Sequence, residues 1–349
     1  MSTDGLPIAR RDVLKSMAAG ATLCTLPGRA DAAPGSAIRY GISGQVWEGD
    51  GVAVKAWGGN IEEGVLETAR LGFDGIEPFR QHVMHYLTKP ERFRKLLDNA
   101  GIAMVSCSNG GPGMASNFID RSETAKTVSD YVAFARDFIL PVAGPTAFKF
   151  NMGRRPEGGV MTDDHLKILA DTLNQIGMKT KAFGIKAAPH PHIWGPMERE
   201  HELRRAMELT DPNYVYITAD TAHLTLGGMD PVKIFRDYFA RIAEIHYKDC
   251  DPQYRGNTMT PTQQMHRDKT LYLNLGAGGV DIPAIHKLVL AHNYRGWISL
   301  DYDAPRPGEG RLEENLLINR KYLTDVLHVR TLKPAVTGKS ACEYVCKPA

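Results

Sequence analysis

The stretch VYITADTAHLTLGGMDPVKIFRDYFARIAEIHYKD, residues 215–249, carries the decision about the fold. It opens and closes on short apolar runs, VYITAD (215–220) and AEIHYKD (243–249), of a length that suits buried strands. A helix-like segment with apolar residues three and four apart lies between them. Strand, helix and strand in that order read as a parallel crossover unit. Further runs of the same kind precede and follow it: IRYGISG (38–44), GIEPF (75–79), AMVSCS (103–108), AFKFNM (147–152), IKAAPH (185–190) and WISLDYD (297–303). The intervening stretches include IEEGVLETARLG, PERFRKLLDNAG and DDHLKILADTLNQIGMKTKAFG, which end on Gly72, Gly101 and Gly184 as helix C-caps. Thr162-Asp163-Asp164 and Ser122-Glu123 read as N-caps. Eight strand–helix units predict an α/β fold, a single (β/α)8 TIM barrel. No glycine-rich phosphate loop follows the first strand, which excludes a dinucleotide-binding half.

Composition supports an ordinary globular chain. Of 349 residues 43% are hydrophobic and 23% charged, so wholesale disorder and fibrous architectures are excluded. Lys and Arg total 42 against 40 Asp and Glu, a balance that leaves no electrostatic footprint for nucleic acid. Five Cys in so long a chain do not form a disulfide scaffold. Cys342 and Cys346 sit in the tail, where an oxidising compartment would allow them to pair.

The N-terminus reads as an address. Arg10-Arg11, Leu14-Lys15, the modest apolar run SMAAGATLCTLPG and Ala30-Asp31-Ala32 follow in the order of a twin-arginine signal. The expected cleavage is after Ala32, the expected partner is the twin-arginine export machinery, and the expected location is periplasmic or secreted. The apolar run is too short and too rich in Ala and Gly for a stable membrane span. The division that follows is 1–32 signal, 33–332 barrel and 333–349 C-terminal tail.

In a barrel the chemistry gathers at the C-terminal ends of the strands. Glu77, Lys149, Asn151, His190, His192, Asp220, His223, His246, Lys248, Asp249, Asp301 and Asp303 all fall at or just past such ends. Period-two alternation puts His190 with His192, His246 with Lys248, and Asp301 with Asp303 on shared faces. A single strand-end His is more often a hydrogen-bonded structural residue, and a strand-end Asp more often an N-cap. Recurrence at one end of successive units favours a common site for His190, Asp220, His246 and Asp301, a donor set suited to a divalent transition ion. Most other histidines read as surface or packing, whereas His266 lies in the long loop after strand seven, where a lid would form.

The series DTAHLTLGGMDP, RIAEIHYKD, LGAGGVDIPAI and YRGWISLDYD resembles the xylose-isomerase-like TIM-barrel superfamily. The sugar phosphate isomerase/epimerase group, with inosose dehydratases and ketose 3-epimerases, looks most similar. The resemblance implies one divalent metal ion, with Mn, Co, Fe, Ni, Zn and Mg all open, held by Glu, Asp, His and Glu from strands five to eight. Those positions fall on His190, Asp220, His246 and Asp301, so one Glu is replaced by His and the other is shortened to Asp. Both departures move the base away from the two-glutamate epimerase arrangement. The implied activity is that of an isomerase/epimerase or a dehydratase-type lyase acting through an enediolate on a sugar, keto-sugar or cyclitol. Glu77, His192 and Lys248 are the candidates for proton transfer. Lys149, His223 and Asp303 would orient hydroxyls, and Trp47 and Trp194 either stack on a sugar face or pack. The export signal points to an unphosphorylated substrate. A homo-oligomer is left open, since members often form dimers or tetramers. Two alternatives stand: an exported carbohydrate-binding barrel without turnover, and a metal-dependent hydrolase on the same scaffold.

Overall fold

Eight parallel strands occupy the places the alternation predicts, but all are shorter: β1 (Arg39–Ser43), β2 (Gly75–Glu77), β3 (Ala103–Met104), β4 (Ala147–Phe150), β5 (Lys186–Pro189), β6 (Ile217–Asp220), β7 (Ile242–Tyr247) and β10 (Trp297–Leu300). The computed structural model describes residues 38–43, 61–110, 113–114, 117–303 and 310–337. The segment 1–32, Trp47, Cys342 and Cys346 lie outside these residues. One continuous ladder runs in the order β3-β2-β1-β10-β7-β6, and β4 pairs with β5. A parallel bridge from Ala187 to Val215 joins β5 to the entrance of β6.

Side chains close the remaining seam between β3 and β4. Ser106 Oγ accepts from the Lys149 N–H at 2.9 Å, and Thr146 Oγ1 donates to Val105 O at 2.7 Å. Asn109 then clasps the Asn151 backbone from both sides: its Oδ1 takes the N–H at 2.7 Å and its Nδ2 donates to the C=O at 3.1 Å. With that clasp the (β/α)8 barrel is complete.

Alternation sorts the strands into two faces. Outward, Phe148 and Phe150 pack under Phe118, Tyr131 and Phe134, with ring centroids 5.0–5.7 Å apart. Inward, the floor of the barrel is plugged by Trp297, which fits because Gly75 has no side chain: a Cβ there would lie 2.7 Å from the indole. Gly41 makes the same room for Val105. Above this apolar floor the inward positions turn almost wholly polar.

The helices carry their own punctuation. Thr162 caps Asp163–Lys181 by accepting from the His165 N–H, and Gly101 closes Pro90–Ala100 in the left-handed region at φ 68°. Of the pair Ser122-Glu123, it is Glu123 that holds the N-cap position of Thr124–Phe134, without a side-chain bond. No helix among the described residues is long and apolar enough to cross a membrane. The described part of the tail packs along the barrel, with Val336 N–H donating to Arg70 O at 2.8 Å.

A short antiparallel ribbon, β8 (Asp249–Cys250) with β9 (Tyr272–Leu273), was not foreseen from the sequence. Asp249 anchors it. Its carboxylate accepts from the N–H groups of Cys250, Gly276, Gly278 and Val280 at 2.9–3.1 Å. Asp249→Ala leaves those donors without their partner, at about 1–3 kcal/mol for each one left dry. The expected loss is therefore about 3–5 kcal/mol in urea unfolding, and a loss below about 1 kcal/mol would remove Asp249 as the anchor.

Candidate metal centre and active-site mouth

The register of the strands brings the polar ends together. Asp220 pairs with His246 across β6 and β7, and His246 pairs with Ser299 across β7 and β10, so Asp301 emerges one pleat higher beside them. The side chains of Glu77, Lys149, His190, Asp220, Glu244, His246, Lys248 and Asp301 are all buried at this end of the barrel. Burying so many ionisable groups is costly unless charges pair or a cation joins them.

Asp220 uses its two oxygens separately. Oδ1 accepts from the Ala222 and His223 N–H groups at 2.9 Å each, capping the helix Thr221–Leu226. Oδ2 is buried without a hydrogen-bond partner, 3.7 Å from His190 Nε2 and 3.5 Å from His246 Nδ1. His190 Nε2 is likewise buried and unpartnered, while its Nδ1 lies 3.0 Å from Asn151 Oδ1. Asp301 Oδ2 completes the group, 3.0 Å from His246 Nδ1. The four residues expected to hold a metal thus converge.

His246 stands at the centre. Its Nε2 turns the other way and meets Glu77 Oε2 at 2.8 Å, with Glu244 Oε1 at 3.5 Å. Burial alone would lower His246, but Glu77, Asp220 and Asp301 raise it well above the ordinary imidazole range. Burial would likewise raise Glu77, yet His246 and Lys149 hold it down to about 2. Burial and the neighbouring Glu77 push Glu244 up to about 8, so it is the protonated member of the pair. Burial pushes His190 down to about 3, leaving it neutral near pH 7, the form in which imidazole binds metal.

The mouth above holds the remaining candidates. Lys248 Nζ contacts Asp301 Oδ1 at 3.2 Å and Asp303 Oδ1 at 2.7 Å, and it lies over the Tyr272 ring. Burial would lower Lys248, but Asp301 and Asp303 raise it, so it is held as the ammonium. Lys149 pairs with Glu77 at 3.4 Å. His192 is partly exposed and stacks on His223 at 3.7 Å between centroids, and burial pushes it down to about 4. Trp194 adopts φ 67°, rare for a bulky residue. Its backbone N–H donates to Glu198 Oε2 and its indole N–H to Pro261 O, which hold the ring beside His192, 6.0 Å between centroids. His266 lies on a short helix, Gln263–Asp268, and not in an open loop; it reaches within 3.7 Å of Asp303 and lies beside Trp194 and Tyr272.

Glu244 and Tyr272 escaped the sequence reading. Glu244 shares the inward face of β7 with His246, two residues away, and that alternation was the available signal. Tyr272 reaches the mouth only through the unforeseen ribbon.

The donor chemistry fits a divalent cation. Two buried atoms, His190 Nε2 and Asp220 Oδ2, face one another 3.7 Å apart, neither with a hydrogen bond of normal length, and an imidazole and a second carboxylate flank them. Imidazole and carboxylate together suit transition ions. Among the described residues three buried clusters have ligand atoms close enough to share an ion: His190, Asp220 and His223; Asp220, His246 and Asp301; and Glu77, Glu244 and His246.

Comparison with known proteins places the fold. An inosose dehydratase of Clostridium botulinum is 23% identical over 307 residues, covering 82% of this chain and 97% of its own. The structure of the probable 3-DHS dehydratase from Bacillus anthracis superposes with a TM-score of 0.63 at 15% identity, covering 82% of this chain and 99% of that one. An IOLI protein with a bound zinc atom gives a TM-score of 0.63 at 13% identity, over 83% of this chain and 98% of that one. The model of the xylose isomerase-like TIM barrel family matches residues 65–322, which contain every strand of the barrel except β1 together with the whole convergence around His246. The chain therefore belongs to the xylose isomerase-like TIM barrel family.

Proposed function

We propose that this chain is a divalent-metal-dependent enzyme that moves a proton beside the carbonyl of a sugar, keto-sugar or cyclitol, as an isomerase/epimerase or a dehydratase-type lyase. The observation that carries the reading is the meeting of His190 Nε2 and Asp220 Oδ2, both buried and unpartnered, beside His246 and Asp301. Family membership, the similarity to inosose dehydratase and the zinc held by the structurally similar IOLI protein support it.

His190, Asp220, His246 and Asp301 would hold the ion. When bound, it would supply a Lewis acid that polarises the carbonyl and stabilises the enediolate. His192 is best placed among the proton-transfer candidates: its Nδ1 is tied to the Ile193 carbonyl, so Nε2 carries the free lone pair at the mouth. Glu77 lies beneath His246, away from the mouth, and in this reading holds the imidazole in place. Lys248, fixed as a cation, donates to a substrate oxygen and balances developing negative charge. Lys149, His223 and Asp303 orient hydroxyls, with Trp194, and Trp47 from outside the described residues, offered to a sugar face. Export by the twin-arginine machinery to the periplasm or beyond is part of the same proposal. It favours a free sugar, keto-sugar or cyclitol over a sugar phosphate.

Elemental analysis of the purified protein beside an Asp220→Ala/His246→Ala double variant tests the site. The expected result is about one Mn, Co, Fe, Ni, Zn or Mg ion per chain, lost in the double variant. Absence of metal from both after reconstitution would leave the non-catalytic carbohydrate-binding reading in front.

A further inference from the structure

His190 occupies a ligand position with a ring that has two different nitrogens, so something must decide which one carries the proton. Asn151 is the neighbour that does. Its Oδ1 lies 3.0 Å from His190 Nδ1, and a carbonyl oxygen only accepts. The proton is then on Nδ1, and Nε2 is left bare towards Asp220 Oδ2. Asn151 is itself immobilised from behind. Its backbone N–H and C=O are both taken by the Asn109 side chain, whose Nδ2 also donates to the Tyr131 hydroxyl at 2.6 Å. Asn109 cannot be turned over, because Oδ1 must face the Asn151 N–H. The Asn151 side chain is therefore not needed by its own backbone and is available to the imidazole.

We propose that Asn151, backed by Asn109 and Tyr131, is a positioning residue that fixes the His190 tautomer and so presents Nε2 as a metal ligand. The assignment rests on the metal reading above, but the tautomer exists with or without an ion. It also belongs to this chain's own departure, the His that stands where the family resemblance implies Glu. Second-shell groups of this kind typically alter metal affinity about 10–100-fold.

The test uses Co2+ alone on the full chain, with chelator competition for affinity, the visible Co2+ spectrum for ligand geometry, and nitrogen-15 NMR of the metal-free protein for the His190 tautomer. Wild type is expected to show the Nδ1–H form. Asn151→Leu, nearly isosteric but without an acceptor, is expected to mix the tautomers, shift the Co2+ spectrum and weaken binding about 10–100-fold. Asn151→Asp keeps the acceptor and is expected to restore both the Nδ1–H form and the affinity. If Asn151→Leu fails to fold by circular dichroism, Asn151→Ala removes the same acceptor with less bulk. An Nε2–H tautomer in wild type, or wild-type tautomer and affinity in the leucine or alanine variant, would overturn the assignment. Failure of wild type to bind Co2+ would sink the metal reading instead, while the NMR result still decides what Asn151 does to His190.

Discussion

Asp220→Asn is expected to weaken Co2+ binding by more than about 100-fold while leaving the thermal unfolding midpoint within a few degrees of wild type. The size follows from losing a direct ligand where loss of an outer-shell partner already costs about 10–100-fold. The separation of effects follows from the two oxygens of Asp220. Asparagine keeps Oδ1, which caps the helix through the Ala222 and His223 N–H groups. It replaces Oδ2 with an amide that donates towards the bare His190 Nε2 and carries no charge. Asp220→Ala removes the cap as well and should cost about 0.5–2 kcal/mol of stability besides the metal. Chelator competition and a melting curve on the two variants make the comparison. Equal Co2+ affinity in Asp220→Asn and wild type would remove Asp220 from the ligand set.

His192→Ala is the second large effect, expected on turnover alone. A positioned general base contributes about 10²–10⁴-fold, so kcat should fall by that factor. Metal content should not change. His192 stands at the mouth, partly exposed, stacked on His223 and oriented through Nδ1 by the Ile193 carbonyl. The neutral imidazole that burial enforces is the form a base requires. Rate measurements at saturating substrate, paired with elemental analysis of the same samples, separate a missing base from a missing ion. A kcat within threefold of wild type, with metal retained, would pass the role to another residue of the mouth.

Much of this site was legible in the sequence. The eight strands fell where apolar runs alternate with helical spacing, and alternation within each run placed His246 with Lys248 and Asp301 with Asp303 on the inward face. Asp220 shows where such reasoning is limited by its own categories. N-cap and ligand were rival readings of one residue, yet a carboxylate has two oxygens: Oδ1 caps the helix while Oδ2 is left open. Glu244 was readable by the same alternation that found His246, but it lies one pleat below the strand end. Trp297 as the barrel plug was not readable, since it depends on Gly41 and Gly75 more than two hundred residues earlier. The collar of Trp194, His266 and Tyr272 also depends on a loop and ribbon that only tertiary contacts define. Strand ends were overestimated most at β3 and β10, where inward polar residues continue past the last ladder bond. Residues 105–108 and 301–303 are extended at most through isolated bonds, such as Phe79 to Ser108.

The central claim is that a metal held by His190, Asp220, His246 and Asp301 turns a carbonyl-bearing sugar over. The most direct test incubates keto-cyclitols and keto-sugars with the metal-loaded protein in deuterium oxide and follows the substrate by proton NMR. The account predicts deuterium entry beside the carbonyl, or loss of water from that position, abolished by chelator and restored by added ion. A protein that binds the same sugars without metal and returns them unlabelled and unchanged would contradict it.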